Sequence, residues 1–147
     1  MKYRMKRDSA LFFLCSLIEY IGREQKRKRG EIVKALGEKT LRRIYAFADV
    51  LHSEPIAKVA DEYIAICRIE KGSFDNIATC RFDAPDYWTI GEVYERLIAD
   101  ITTDDVIQAL QMVYTSWISE SISNYNTDFY YQPRDYIAEC YRQGMVI

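Results

Sequence analysis

The sequence predicts an all-α protein: a single compact domain of about six to seven helices in an orthogonal or irregular bundle. Three observations carry that reading. Apolar residues recur at i, i+3, i+4 and i+7 in segment after segment, as in a helix with one buried stripe. Only 6 Gly and 3 Pro occur in 147 residues, too few for a loop-rich β-sandwich. Hydrophobic residues make up 49% and charged residues 29%, enough apolar material for one core and the wrong balance for a disordered or low-complexity chain.

The first helix carries Leu11, Leu14, Cys15, Ile18 and Ile21 in register, widened by Phe12, Phe13 and Leu17. Asp8 or Ser9 can cap its free amides, and Gly22 is expected to stop it. A short helix over Glu31–Leu36 closes at Gly37, and a second, capped by Thr40, places Leu41, Ile44, Tyr45, Ala48 and Leu51 on one face. Pro55 opens the next, whose stripe is Ile56, Val59, Ala60, Tyr63, Ile64 and Cys67. Residues 73–88 break the pattern with turn formers and a short extended piece at Ile77–Phe82, the one candidate internal boundary. Thr89 with Glu92, then Thr102 with Asp105, read as capping boxes. Behind the second runs the longest expected helix, from Val106 to Tyr125. A last helix begins near Pro133 and stops at Gly144.

Basic residues followed by Ala10–Ile18 resemble a short signal peptide, but Ser16 interrupts the stretch and Glu19 ends it. The expectation is a core helix in a cytoplasmic protein that crosses no membrane. Cys15, Cys67 and Cys140 fall at apolar positions, Cys80 stands apart, and no C-x-x-C pair occurs. With one histidine available, neither a metal nor another cofactor is expected.

The net charge of -2 conceals a division along the chain. Residues 1–50 hold 13 Lys/Arg against 6 Asp/Glu, and residues 51–147 hold 7 against 16. The positive charge concentrates in Lys2, Arg4, Lys6 and Arg7, and again in the loop Arg23, Lys26, Lys28 and their neighbours. Such runs are either solvated or attract phosphates and acidic partners.

No phosphate-binding glycine loop or nucleophile elbow is present. His52 follows an apolar helix face, where a histidine complements the helix dipole; a catalytic part would need a Cys or Asp brought to it. Asp61/Glu62, Glu92/Glu95 and Asp104/Asp105 read as exposed or first-turn carboxylates rather than cation ligands. No catalytic residue is therefore assigned. Twelve tyrosines stand out, with Tyr125, Phe129, Tyr130, Tyr131, Tyr136 and Tyr141 clustered near the C-terminus. Tyrosine combines rigid contact area with a polar tip, so Tyr125, Phe129, Tyr130, Tyr131 and Tyr136 are candidates for a protein partner or for self-association. Covering one end of the bundle is the competing role. A nucleic-acid interface is the alternative: residues 31–51 have helix-turn-helix spacing, and Lys26, Arg27, Lys28, Arg29, Arg42 and Arg43 could meet phosphates.

The order Phe13, Ile18-Glu19, a basic loop, Gly30, Val33, Ile44, Leu51-His52, Asp61, Tyr63-Ile64 is similar to short uncharacterised bacterial proteins carried on mobile elements and in toxin-like gene neighbourhoods. Phe74-Asp75-Asn76, Tyr87-Trp88, Ile90-Gly91 and Tyr114-x-Ser116-Trp117-Ile118 resemble a longer group of the same kind. The resemblance brings no activity and no catalytic residue. What it implies is an accessory role in a mobile-element or conflict system, such as antitoxin-like binding. The expected function is thus a non-catalytic protein-interaction module.

Overall fold

A computed structural model describes residues 8–147; the basic run at Lys2–Arg7 lies outside the described residues. Among the described residues the fold is all helical: α1 (Ser9–Gln25), α2 (Arg29–Ala46), α3 (Ala48–Leu51), α4 (Ile56–Ile66), α5 (Tyr87–Ile101), α6 (Val106–Tyr114), α7 (Trp117–Ser123) and α8 (Arg134–Gln143), with a 3-10 turn at Phe129–Tyr131. No helix of the described residues is long and apolar enough to cross a membrane.

The stripe read from the first segment is the centre of the molecule. Leu11, Leu14, Cys15, Leu17, Ile18 and Ile21 are fully buried, because α1 is covered by α2, α3, α4 and above all α5. The buried side chains form one continuous cluster running from α1 to Cys140 of α8. Tyr94 of α5 and Tyr114 of α6 stack inside it with ring centroids 4.0 Å apart, and the Tyr94 hydroxyl bonds the Ser119 hydroxyl at 2.8 Å. Gly91 permits a close helix crossing. A Cβ there would lie 2.9 Å from both the Cα and the N of Ser16, so α1 and α5 meet backbone to backbone.

Several expected boundaries moved, each for a physical reason. Helix α1 does not stop at Gly22 but continues to Gln25 and ends on Lys26 in the left-handed conformation (φ 51°). Gly22 is used instead for close packing, since a Cβ on it would meet the Arg29 side chain, with Nε at 2.6 Å. The break expected at Gly37 is kept, in that α2 consists of two helical pieces meeting at a kink where Gly37 takes φ 82°, ψ 158°, a conformation that favours glycine. Asp86, not Thr89, caps α5, accepting the Thr89 amide at 2.7 Å. Asp105 itself caps α6. The long helix expected from Val106 to Tyr125 breaks at Thr115–Ser116, where the Ser116 hydroxyl turns back to the Val113 carbonyl and caps α7.

Residues 67–86 hold no strand, and Ile77–Phe82 is turn rather than extended. This segment is a strap. Its Gly72 and Phe74 amides donate to the Gln25 and Lys26 carbonyls at 2.7 and 2.8 Å, extending the satisfied end of α1. Further along, the buried Asn76 amide nitrogen donates to the Ser123 carbonyl at 2.9 Å, so the strap joins α1 to α7.

Candidate functional site

Beneath the strap the core is charged. Glu19 stands one turn after Cys15 and one turn before Gly22, on the same face of α1, and its side chain is fully buried. Arg29, the first residue of α2, faces it. Arg29 Nε and Nη2 donate to the two Glu19 carboxylate oxygens at 2.9 and 3.0 Å, a bidentate pair. The remaining Arg29 bonds go to the Arg27 carbonyl at 2.7 Å and to Asn76 Oδ1 at 3.0 Å. Arg23, one turn after Glu19, adds a 2.8 Å bond to the same carboxylate and holds the Pro85 carbonyl at 2.7 Å. The Tyr125 hydroxyl completes the set by donating to Glu19 Oε2. Two helices, the strap and the segment after α7 therefore converge around one carboxylate.

Burial by itself raises the Glu19 pKa, but the Arg29 charge and the hydrogen bonds from Arg29, Arg23 and Tyr125 outweigh it and bring the carboxyl from 4.5 down to about 2. Burial pushes the Tyr125 hydroxyl up, reinforced by the neighbouring carboxylate, so it stays a protonated donor. Ionised Glu19 favours the folded chain fully above 4.5, and that contribution fades as pH falls from 4.5 toward 2. Thermal unfolding followed between pH 6 and pH 2 is expected to show a falling midpoint over that window, with a smaller fall in Glu19→Gln. The scale is about 1.4 kcal/mol for each tenfold difference in proton affinity between the folded and unfolded chain. Equal pH dependence in the two proteins would remove Glu19 as the source.

Above this network opens a cavity of about 390 Å3, bounded by the start of α2, the strap, the α6–α7 junction and the segment after α7. Many of its lining side chains carry polar groups: Asn76 and Thr79 from the strap, Ser116, Ser119 and Ser123 from α7 and its cap, then Asn124, Tyr125 and Asn126. Phe74 also lines it, with the Arg29 guanidinium 5.8 Å from its ring centroid. Lys28, Glu31, Lys34 and Glu120 contribute the exposed charges.

The residues singled out from sequence are distributed unevenly around this centre. Tyr125 and Phe129 are buried and give no contact surface, which corrects their assignment to a partner interface. Tyr130 and Tyr136 are half-buried and Tyr131 is exposed. Arg29 is 1% exposed, which corrects its assignment to a nucleic-acid interface: a cation sealed against Glu19 cannot reach a phosphate strand. The other cations are largely answered within the molecule. Lys26 pairs with Asp75, Arg27 with Glu31, Lys28 with Glu120, and Arg42 with both Glu38 and Asp105. The Arg42–Asp105 contact is bidentate, at 3.1 and 2.6 Å. Arg43 lies over the exposed Phe47 ring, 5.9 Å from its centroid.

His52 is the exposed C-cap of α3. Asp61, Glu62 and Asp104 are exposed, Glu92 pairs with Arg96 at 3.3 Å, and Glu95 is buried. No group of three or more His, Cys, Asp or Glu is placed to hold a metal among the described residues. Cys15 is buried, and desolvation pushes its thiol up, away from a reactive thiolate. No family model matches the chain, and neither a curated protein nor a solved structure does.

Proposed function

We propose that the protein is a binding module that engages a protein partner through the aromatic surface formed by α5, the 3-10 turn and α8. One observation carries the reading: Tyr131 is 66% exposed, yet it stands on a fixed base. Tyr125, anchored on Glu19, packs edge-on against Tyr130 at 5.7 Å, and Tyr130 packs edge-on against Tyr131 at 5.0 Å. Phe129 in the same turn is buried beneath them. An exposed aromatic held this way loses little freedom on binding, which is what an interface anchor needs.

Beside the pair lies a groove of about 220 Å3 lined by Val93, Leu97 and Ile137, with Arg96 and Arg134 among its polar residues. It suits an aliphatic or aromatic side chain presented by the partner. Arg134 is held by Asp100 at 2.8 and 2.9 Å, which keeps that wall in place. An accessory, antitoxin-like part in a mobile-element or conflict system belongs to the same reading, because such a part consists of binding another protein. The nucleic-acid alternative has less support, since most of its cations already hold carboxylates.

The test is affinity capture from the native host, with the captured protein then purified and titrated. Tyr130→Ala with Tyr131→Ala should weaken the complex roughly 30-fold, the effect of about 2 kcal/mol lost at an interface centre. Unchanged affinity in a folded double variant would sink the assigned surface. Concentration-dependent dimers abolished by the same substitutions would make the partner a second copy of this chain.

A further inference from the structure

A row of aromatic rings runs over the α1–α5 crossing. Tyr87 and Trp88 occupy the first turn of α5, and Phe12 and Tyr20 stand on α1. The rings touch in order. Tyr20 packs edge-on against Tyr87 at 5.1 Å, Tyr87 meets Trp88 at 4.9 Å, and Trp88 stacks on Phe12 at 5.4 Å. The two α1 rings are eight residues apart, so the row spans about 12 Å of that helix at 1.5 Å per residue. It is not part of the core: α5 buries Ile90, Gly91 and Tyr94 instead, while Trp88 is 39% exposed and Tyr20 and Tyr87 are half-buried. Each ring is held by the next, so the outward edges are ordered before anything binds.

The Tyr20 end of the row is acidic. Glu24 stands one turn after Tyr20 on α1, Asp61 lies on α4, and both are exposed. The cations closest to them along the chain are engaged elsewhere: Arg23 holds Glu19 and the Pro85 carbonyl, and Lys58 holds Glu54 at 3.1 Å. Glu24 and Asp61 are thus left without a salt bridge among the described residues. Burial pushes the Tyr20 pKa up, and the charges of Glu24 and Asp61 push it further, so the field of both carboxylates reaches this ring.

We infer that this row is a second docking surface, and that its occupant is an arginine-bearing segment of a partner protein, its guanidinium groups stacking on Trp88 and Tyr87 and pairing with Glu24 and Asp61. Charge complementarity selects that occupant. A guanidinium is the cation that stacks on an aromatic face while its N–H groups reach a carboxylate. An uncharged apolar partner would cover two carboxylates and offer them no counter-charge, and a nucleic acid would meet them with like charge. The surface shares no residue with the one formed by Tyr130 and Tyr131.

Calorimetric titration of the full chain at low salt tests this, with decapeptides that alternate Gly with Arg, Lys or Glu as the probes. The arginine peptide is expected to bind saturably, the lysine peptide several-fold more weakly, and the glutamate peptide not at all at millimolar concentration. Trp88→Ala should weaken the arginine peptide roughly tenfold, and so should Glu24→Gln with Asp61→Asn, which alters exposed groups only. Asp104→Asn, at an exposed carboxylate between α5 and α6, should leave the affinity unchanged, which sets this surface apart from attraction by the acidic part of the chain as a whole. The inference is overturned by absence of saturable binding of the arginine peptide, by equal affinity for the lysine peptide, by unchanged affinity in either folded variant, or by an equal loss in Asp104→Asn. Self-association of the chain that the same substitutions abolish would also overturn it, by making a second copy the occupant. Tyr130→Ala with Tyr131→Ala should leave the titration untouched, so the two aromatic surfaces stand or fall separately.

Discussion

Glu19→Ala is expected to cost about 3–5 kcal/mol of folding stability, the effect of removing one member of a buried ion pair. The substitution leaves Arg29 fully buried and Arg23 half-buried without their shared carboxylate, and it removes the acceptor of the Tyr125 hydroxyl. For a chain of this length the thermal midpoint should fall by about 10 °C. Glu19→Leu combined with Arg29→Met is expected to recover most of that loss, because an apolar pair of similar volume carries no desolvation cost. The two results together separate the value of the pair from the penalty of breaking it. A fall of less than about 2 °C in Glu19→Ala would show that the network contributes nothing to stability.

The second large effect belongs to the α1–α5 crossing. In Gly91→Ala the added carbon meets Ser16 Cα and N at 2.9 Å as well as the Ser16 hydroxyl, so a side-chain rotation cannot relieve it. The helices must separate across the largest interface in the fold, at an expected net cost of about 2 kcal/mol even after the better helix propensity of alanine. Chemical denaturation reads this directly. Ser16→Gly in the same background should restore only part of the loss, since the backbone contact remains. Wild-type stability in Gly91→Ala would contradict a backbone-limited crossing.

Much of this architecture was legible in the residue pattern. The stripes at Leu11–Ile21, Ile56–Cys67, Ile90–Ile101 and Tyr136–Cys140 identify helices, because burial repeats with the helical period. The stops were less legible. Gly22 has the composition of a terminator and the geometry of a contact point, and only Arg29, seven residues on, distinguishes the two. Ser116 breaks the long helix through a hydroxyl bond to Val113 that no periodicity registers.

The site was half visible. Glu19 shares a face with Cys15 and Gly22, so its register marked it as buried, whereas its charge suggested the end of an apolar run. Arg29 gave no local signal: four basic residues in succession look alike, and their fates diverge only through partners distant in sequence. The division of charge between the two parts of the chain has the same explanation. Lys26, Lys28 and Arg42 from the basic part are matched by Asp75, Glu120 and Asp105 from the acidic part. An asymmetry that suggested an external acidic partner is answered in part by pairing inside the molecule.

The strap that carries Asn76 has a kinetic consequence. Asn76 accepts from Arg29 on one side and donates to the Ser123 carbonyl on the other, so its bonds close two long stretches of chain and have no partners until α2 and α7 are already in place. Contacts of that kind are expected to form after the rate-limiting step of assembly, so Asn76→Ala should speed unfolding more than it slows refolding in stopped-flow measurements. On that expectation a segment without regular structure acts as a latch on the native state.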